Sequence, residues 1–122
     1  MIIDPHKDKE FGFLRDFMLS FEFPNKHVVQ NQINNAVIAK ECSAYHIAFH
    51  FSVDRKEEPL PEECNGILML IQIKSKSSLT CCELFVANQY VREYRIYNID
   101  ASELDVSCIT EGKIYIGNQQ IC

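Results

Sequence analysis

Apolar residues early in the chain recur at intervals of three and four. Phe11, Leu14, Phe17, Met18 and Phe21 fall on one stripe, while Glu10, Arg15, Asp16 and Glu22 fall on the other side, the pattern of an amphipathic helix with one buried face. Asp4-Pro5 has the form of its start, with Asp as N-cap and Pro at the first helical position, where the missing N–H costs nothing. Gly12 weakens the first turns by about 1 kcal/mol relative to Ala, which favours a start later than Asp4. Pro24 ends the helix, because its ring disfavours the helical conformation at Phe23. A second helix is predicted from Pro24 or Asn25 to about Asn35, with Val29, Ile33 and Ala36 facing inward and the rest polar.

From Val37 the period drops to two. A short strand, Val37 to Lys40, precedes a longer one in which Ile47, Phe49, Phe51 and Val53 alternate with His46, Ala48, His50 and Ser52, the mark of a half-buried strand. Asp54 to Glu63 is densely charged, contains Pro59 and Pro61, and predicts an exposed loop. Ile67 to Ile73 is nearly continuous in apolar residues, so a central strand covered on both faces for part of its length is expected. Thr80 to Ala87 and Tyr90 to Asn98 flank Asn88-Gln89, a two-residue turn in which Asn accepts a positive φ more readily than Gln. On the second arm Val91, Tyr94 and Ile96 form the inward set. Their spacing of three predicts a bulge at Arg92 or Glu93 that returns the side chains to the core face. A last hairpin, Val106 to Thr110 and Lys113 to Ile116, is expected around Glu111-Gly112, either extending the main sheet or pairing in a homodimer.

Helices followed by strands, with no internal repeat, predict one domain over residues 1–122. The expected architecture is α+β, with two N-terminal helices packed on one face of a mostly antiparallel sheet of about five to seven strands. The predicted core joins Ile47, Phe49, Phe51, Ile71, Leu84 and Ile96 to the stripe of the first helix.

Charge narrows the partners. The chain has 12 Lys plus Arg against 17 Asp plus Glu, a net charge of −5, which repels nucleic acid and anionic membrane. The longest apolar run, Ile67 to Ile71, is far short of the roughly 20 residues of a membrane helix. The N-terminus has no signal-peptide pattern, so a cytoplasmic location and six free thiols are expected for Cys42, Cys64, Cys81, Cys82, Cys108 and Cys122.

Candidate chemistry is sparse. His46 and His50 lie four apart, which on a strand separates them by about 13 Å and is too far for one shared ion. No metal and no cofactor are expected. Cys81 and Cys82 point to opposite faces of a strand, which disfavours a shared metal or an easy disulfide. Glu57, Glu58, Glu62 and Glu63 lie in a solvated loop that would not push their pKa values apart. Tyr90, Arg92, Arg95 and Tyr97 occupy one hairpin arm, and with His46 and His50 on the open sheet face they make a candidate interaction patch, since Tyr and Arg favour interfaces.

Met18-Leu19, Phe23-Pro24, Gln32-Ile33, Val53-Asp54 and the run Val91-Arg92-Glu93-Tyr94-Arg95-Ile96-Tyr97 resemble the pattern of a family of small bacterial proteins, a domain of unknown function. The resemblance covers about residues 11 to 102. Asn25 stands where that family has Gly, and Asn88-Gln89 where it has Asp-Gly. No activity or site residue is carried over from it. The resulting expectation is a non-enzymatic protein-interaction module, immunity-protein-like in its acidity, binding a partner protein or itself. The alternative is a small thiol or acid/base enzyme, or a ligand pocket between helices and sheet.

Overall fold

The computed structural model describes residues 1–74, 78–106, 113–116 and 119–120. Its elements run in the order β1 (Ile2–Ile3), α1 (Lys9–Leu19), α2 (Lys26–Asn34), β2 (Val37–Cys42), β3 (His46–Ser52), a short 3-10 turn (Glu62–Cys64), β4 (Gly66–Lys74), β5 (Leu79–Ala87), β6 (Tyr90–Asn98), β7 (Lys113–Ile116) and β8 (Gln119–Gln120). This is the α+β fold that the change of period predicts. All strand pairs are antiparallel, in the order β1-β2-β3-β6-β5-β4-β7-β8. Among the described residues, six strands have four residues or more, and the two-residue strands β1 and β8 lie at the edges. The β3–β4 connection carries the chain past β5 and β6, so β4, β5 and β6 return beside β3 as a Greek key.

Helix α1 starts later than Asp4-Pro5 suggests. Asp4 instead closes a turn, accepting the N–H groups of Lys7 and Asp8 on its carbonyl and that of His6 on its side chain. The N-cap is Asp8, whose carboxylate accepts the Phe11 N–H at 2.9 Å, satisfying a backbone donor that the helix leaves open. The buried stripe is the expected one: Phe11, Leu14, Met18 and Phe21 are buried and Phe17 packs at its edge. Helix α2 begins after Asn25, which takes a left-handed φ of 62°, a conformation Asn tolerates. It buries Val28, Val29, Ile33 and also Gln32.

Against this layer β3 presents Ile47, Phe49 and Phe51, and β6 presents Val91, Tyr94 and Ile96. The bulge falls at Arg92: Phe85 pairs with Glu93 and Val86 with Val91, leaving Arg92 unpaired. The Tyr94 hydroxyl, wholly buried, donates to the Leu14 carbonyl at 3.0 Å and ties α1 to β6. Asn88 and Gln89 take φ of 52° and 70°, both in the left-handed region, as a type I′ turn requires. The strain at Gln89 is held by contacts with the β3–β4 loop. Its N–H donates to the Asn65 side chain, its amide donates to the Leu60 carbonyl, and its own carbonyl accepts the Leu60 N–H.

Three expectations are corrected. The loop from Asp54 to Glu63 keeps its charges outside but sinks Leu60 into the core, with Cys64 following, so it is a structural strap as well as a connector. The strand covered on both faces is β5, where residues 80–84 are all buried, while β4 alternates and leaves Ile67 53% exposed. On the open face of β5, the Gln72 side chain of β4 and the Tyr97 side chain of β6 reach over Cys81 from either side. Finally, β7 pairs with β4 and β8, and Val106 lies in a turn rather than in a strand. The C-terminal strand therefore extends the sheet; residues 107–112, which hold the rest of the expected first arm and the turn, lie outside the described residues. Among the described residues, no helix is long and apolar enough to cross a membrane.

Candidate functional site

Both helices pack on one face of the sheet, so the alternation of β2, β3 and β6 sends every second side chain to the other face. The register brings them together: His50 lies between Ala39 and Glu93, Ala48 between Glu41 and Arg95, and His46 opposite Tyr97. On this face Glu41, His46, Ala48, Glu93, Arg95 and Tyr97 line a bowl of about 350 Å³. Ala48, only 2% exposed, forms its floor, and a larger side chain there would fill it.

A polar chain runs across the bowl. The Glu41 carboxylate lies 3.1 Å from His50 Nε2, and His50 Nδ1 lies 3.4 Å from Glu93 Oε1. Glu93 also accepts from Arg95 at 2.8 Å, and the Arg95 guanidinium lies over the Phe85 ring. His50 holds the Glu41 carboxyl below the usual carboxylate range through their hydrogen bond. His46 Nδ1 pairs with the Ser43 hydroxyl at 3.0 Å. At the far side the Tyr97 hydroxyl donates to Glu83 at 2.7 Å. Carboxylates dominate the face, with Glu41, Glu83 and Glu93 surrounding Arg95 and two histidines.

Of the residues singled out from sequence, His46, His50, Arg95 and Tyr97 meet here. Tyr90 and Arg92 do not, because the bulge at Arg92 turns the start of β6 away toward the β3–β4 loop. There the Tyr90 hydroxyl hydrogen-bonds to the carbonyls of Arg55 and Glu57. No family model, curated protein or solved structure matches this chain. Sequence reasoning missed Glu41, Glu83, Glu93 and Ala48. Their signal was the β2–β3–β6–β5 register, which places Glu41 and Arg95 on either side of Ala48 and Glu83 beside Arg95.

The cysteines divide as the alternation requires. Cys82 packs in the core, and Cys81, on the open face, is equally buried. Burial, then the Glu83 charge, push the Cys81 thiol up, which makes it a poor nucleophile near neutral pH. Cys42, Cys64, Cys81 and Cys82 are free thiols, while Cys108 and Cys122 lie outside the described residues. No group of three or more potential ligands for a metal ion occurs among the described residues. The layer between helices and sheet holds Phe11, Leu14, Met18, Phe49 and Tyr94, each at most 1% exposed, and Glu10 of α1 and Ile47 of β3 are among the residues that line a cleft of about 310 Å³.

Tyr97 gives a pH prediction. The hydrogen bond to Glu83, then burial, raise its phenol well above the ordinary value of 10.0. The folded state thus holds this proton more tightly than the unfolded state. The resulting stability is fully present below about pH 10 and is lost as pH rises through the folded-state value. Burial raises Tyr94 in the same direction. Urea midpoints measured from about pH 8 upward should therefore fall above about pH 10, and less steeply in Tyr97→Phe. Identical slopes in the two proteins would show that the Tyr97–Glu83 bond does not carry the effect.

Proposed function

We propose that this protein is a non-enzymatic protein-interaction module that docks a basic partner on the open face of its sheet. The supporting observation is the bowl over Ala48, lined by the carboxylates Glu41 and Glu93 with His46, Tyr97 and the Glu93-paired Arg95. Its size suits one Lys or Arg side chain, and a desolvated arginine anchored in such a pocket is a frequent source of binding energy. Tyr97 adds amphipathic area at little entropic cost. The net charge of −5 steers a basic partner toward the module. An immunity protein that neutralises a basic toxin is one module of this kind, and membership of the bacterial family that the sequence resembles belongs to the same proposal.

Charge reversal tests the reading. Glu41 is exposed at the bowl, so Glu41→Lys should leave the fold intact and weaken binding to a partner captured from host extract. The expected loss is about tenfold in affinity, roughly 1.4 kcal/mol. Asp16→Lys, on the exposed side of α1, should leave affinity within about twofold, since away from an interface a surface charge matters little. Equal effects of the two substitutions would remove the open face from the interface.

A further inference from the structure

The bulge that separates Arg92 from the open face also opens a second site. The β3–β6 ladder ends at His50 and Glu93, because the unpaired residue breaks the register. Beyond that pair, the end of β3 and the start of β6 diverge around a cleft of about 230 Å³, whose lining includes Ser52, Arg55, Asn88, Tyr90 and Arg92. It shares no residue with the bowl.

The chemistry of this cleft differs from that of the rest of the surface. Of the chain's four arginines, Arg15 and Arg95 are paired with carboxylates. Arg55 and Arg92 have no ion pair among the described residues, and both line the cleft. No carboxylate lines it; the Asp54 carboxylate next to Arg55 accepts the Lys56 N–H at 2.9 Å and lies outside the lining. The backbone that carries Arg55 is fixed twice, by the turn in which Glu57 N–H donates to the Asp54 carbonyl and by the Tyr90 hydroxyl on the Arg55 carbonyl. Two arginines without an ion pair among the described residues thus line one cleft of an otherwise acidic protein, one placed by a bulge and one by a pinned turn.

We propose that this cleft binds a phosphoryl group, as inorganic phosphate or as a small phosphate monoester. A guanidinium presents its N–H donors as a planar fork, which matches two phosphoryl oxygens, and such charge-assisted bonds are about twice as strong as neutral ones. A dianion engages both forks and compensates both charges, whereas a lone carboxylate occupies one. The Asn88 amide and the Ser52 hydroxyl supply further donors at the wall. The net negative charge opposes anion entry, but at physiological salt its field is screened within about 8 Å, which leaves the two lining arginines and their immediate neighbours to set the local potential.

The test is a titration of the full chain with inorganic phosphate, glycerol 3-phosphate and acetate, followed through backbone amide shifts against chloride at matched ionic strength. Saturable shifts confined to residues 52–57 and 87–92 are expected with both phosphates. Tighter binding of glycerol 3-phosphate would identify the monoester as the ligand, and equal affinities the free anion. Arg55→Gln and Arg92→Gln should each weaken phosphate binding about tenfold, the loss expected for one charge-assisted contact. Lys56→Gln, which removes the same charge from the same loop without lining the cleft, should stay within about twofold. Shifts indistinguishable from chloride, acetate binding as tight as phosphate, or an equal loss in Lys56→Gln would each overturn the proposal.

Discussion

Phe49→Ala should destabilise the protein by about 3 to 5 kcal/mol, a large share of the roughly 5 to 15 kcal/mol that holds a domain of this size folded. The ring is wholly buried and lies where three elements meet. Its centroid is 5.0 Å from that of Phe11 on α1, edge to face, and 6.2 Å from that of Tyr94 on β6, stacked. From β2 the Lys40 ammonium lies 6.0 Å above the ring, in cation–π range. Truncation leaves a cavity bounded by elements that cannot all collapse into it, because Lys40 is held in place by Asp8 at 3.2 Å and Glu10 at 2.8 Å. A lower denaturation midpoint with an unchanged m-value is the expected signature. A change below about 0.5 kcal/mol, the size typical of surface substitutions, would contradict the assigned phase of β3.

Gln32→Leu should cost about 1 to 3 kcal/mol although it replaces a polar side chain with an apolar one of similar size. Gln32 is 0% exposed. Its carbonyl oxygen accepts the Val91 N–H at 2.8 Å, and its amide donates to the Glu58 carbonyl at 2.8 Å and to the Gln89 carbonyl at 3.3 Å. Val91 is where the ladder with β5 shifts register, so the side chain supports the backbone beside the Arg92 bulge. Leucine would leave the buried Val91 N–H unpaired and remove a donor from the Glu58 carbonyl and from the Gln89 carbonyl, which still accepts the Leu60 N–H, and a buried unpaired group costs about 1 to 3 kcal/mol. Among the described residues no buried side-chain polar atom lacks a partner. Asn31→Leu, one position away but exposed, should change stability by no more than about 0.5 kcal/mol. Equal effects at the two positions would show that the Gln32 bonds carry no net weight.

These two residues mark what was legible in the sequence. Phe49 was, because a strict alternation over seven residues admits one phase, and the stripe from Phe11 to Phe21 admits one helix face. The bulge was legible too, since Val91, Tyr94 and Ile96 share a face only if one residue is left out. Gln32 was not. In a helix of polar residues a glutamine looks solvated, and only the tertiary approach of the β3–β4 loop and the β5–β6 turn makes it buried. Leu60 was hidden for a related reason: one leucine between two prolines carries no period. The open face was half legible. Alternation placed His46 and His50 on it, but grouping Glu41 and Glu93 around Ala48 needs the strand order, which local pattern does not contain. Tyr90 and Arg92 were grouped with Arg95 and Tyr97 because they share a strand, and the bulge divides that strand between two sites.

The most direct test of the open face as the docking surface uses the four histidines of the chain as reporters. His46 and His50 lie on that face, His27 on α2 at the opposite side of the molecule and His6 in the N-terminal turn. Carbethoxylation rates measured by mass spectrometry in the free protein and in its complex with a captured partner should fall at His46 and His50 and stay unchanged at His6 and His27. Protection of His27, with His46 and His50 reacting as in the free protein, would place the partner on the helices and contradict the proposal.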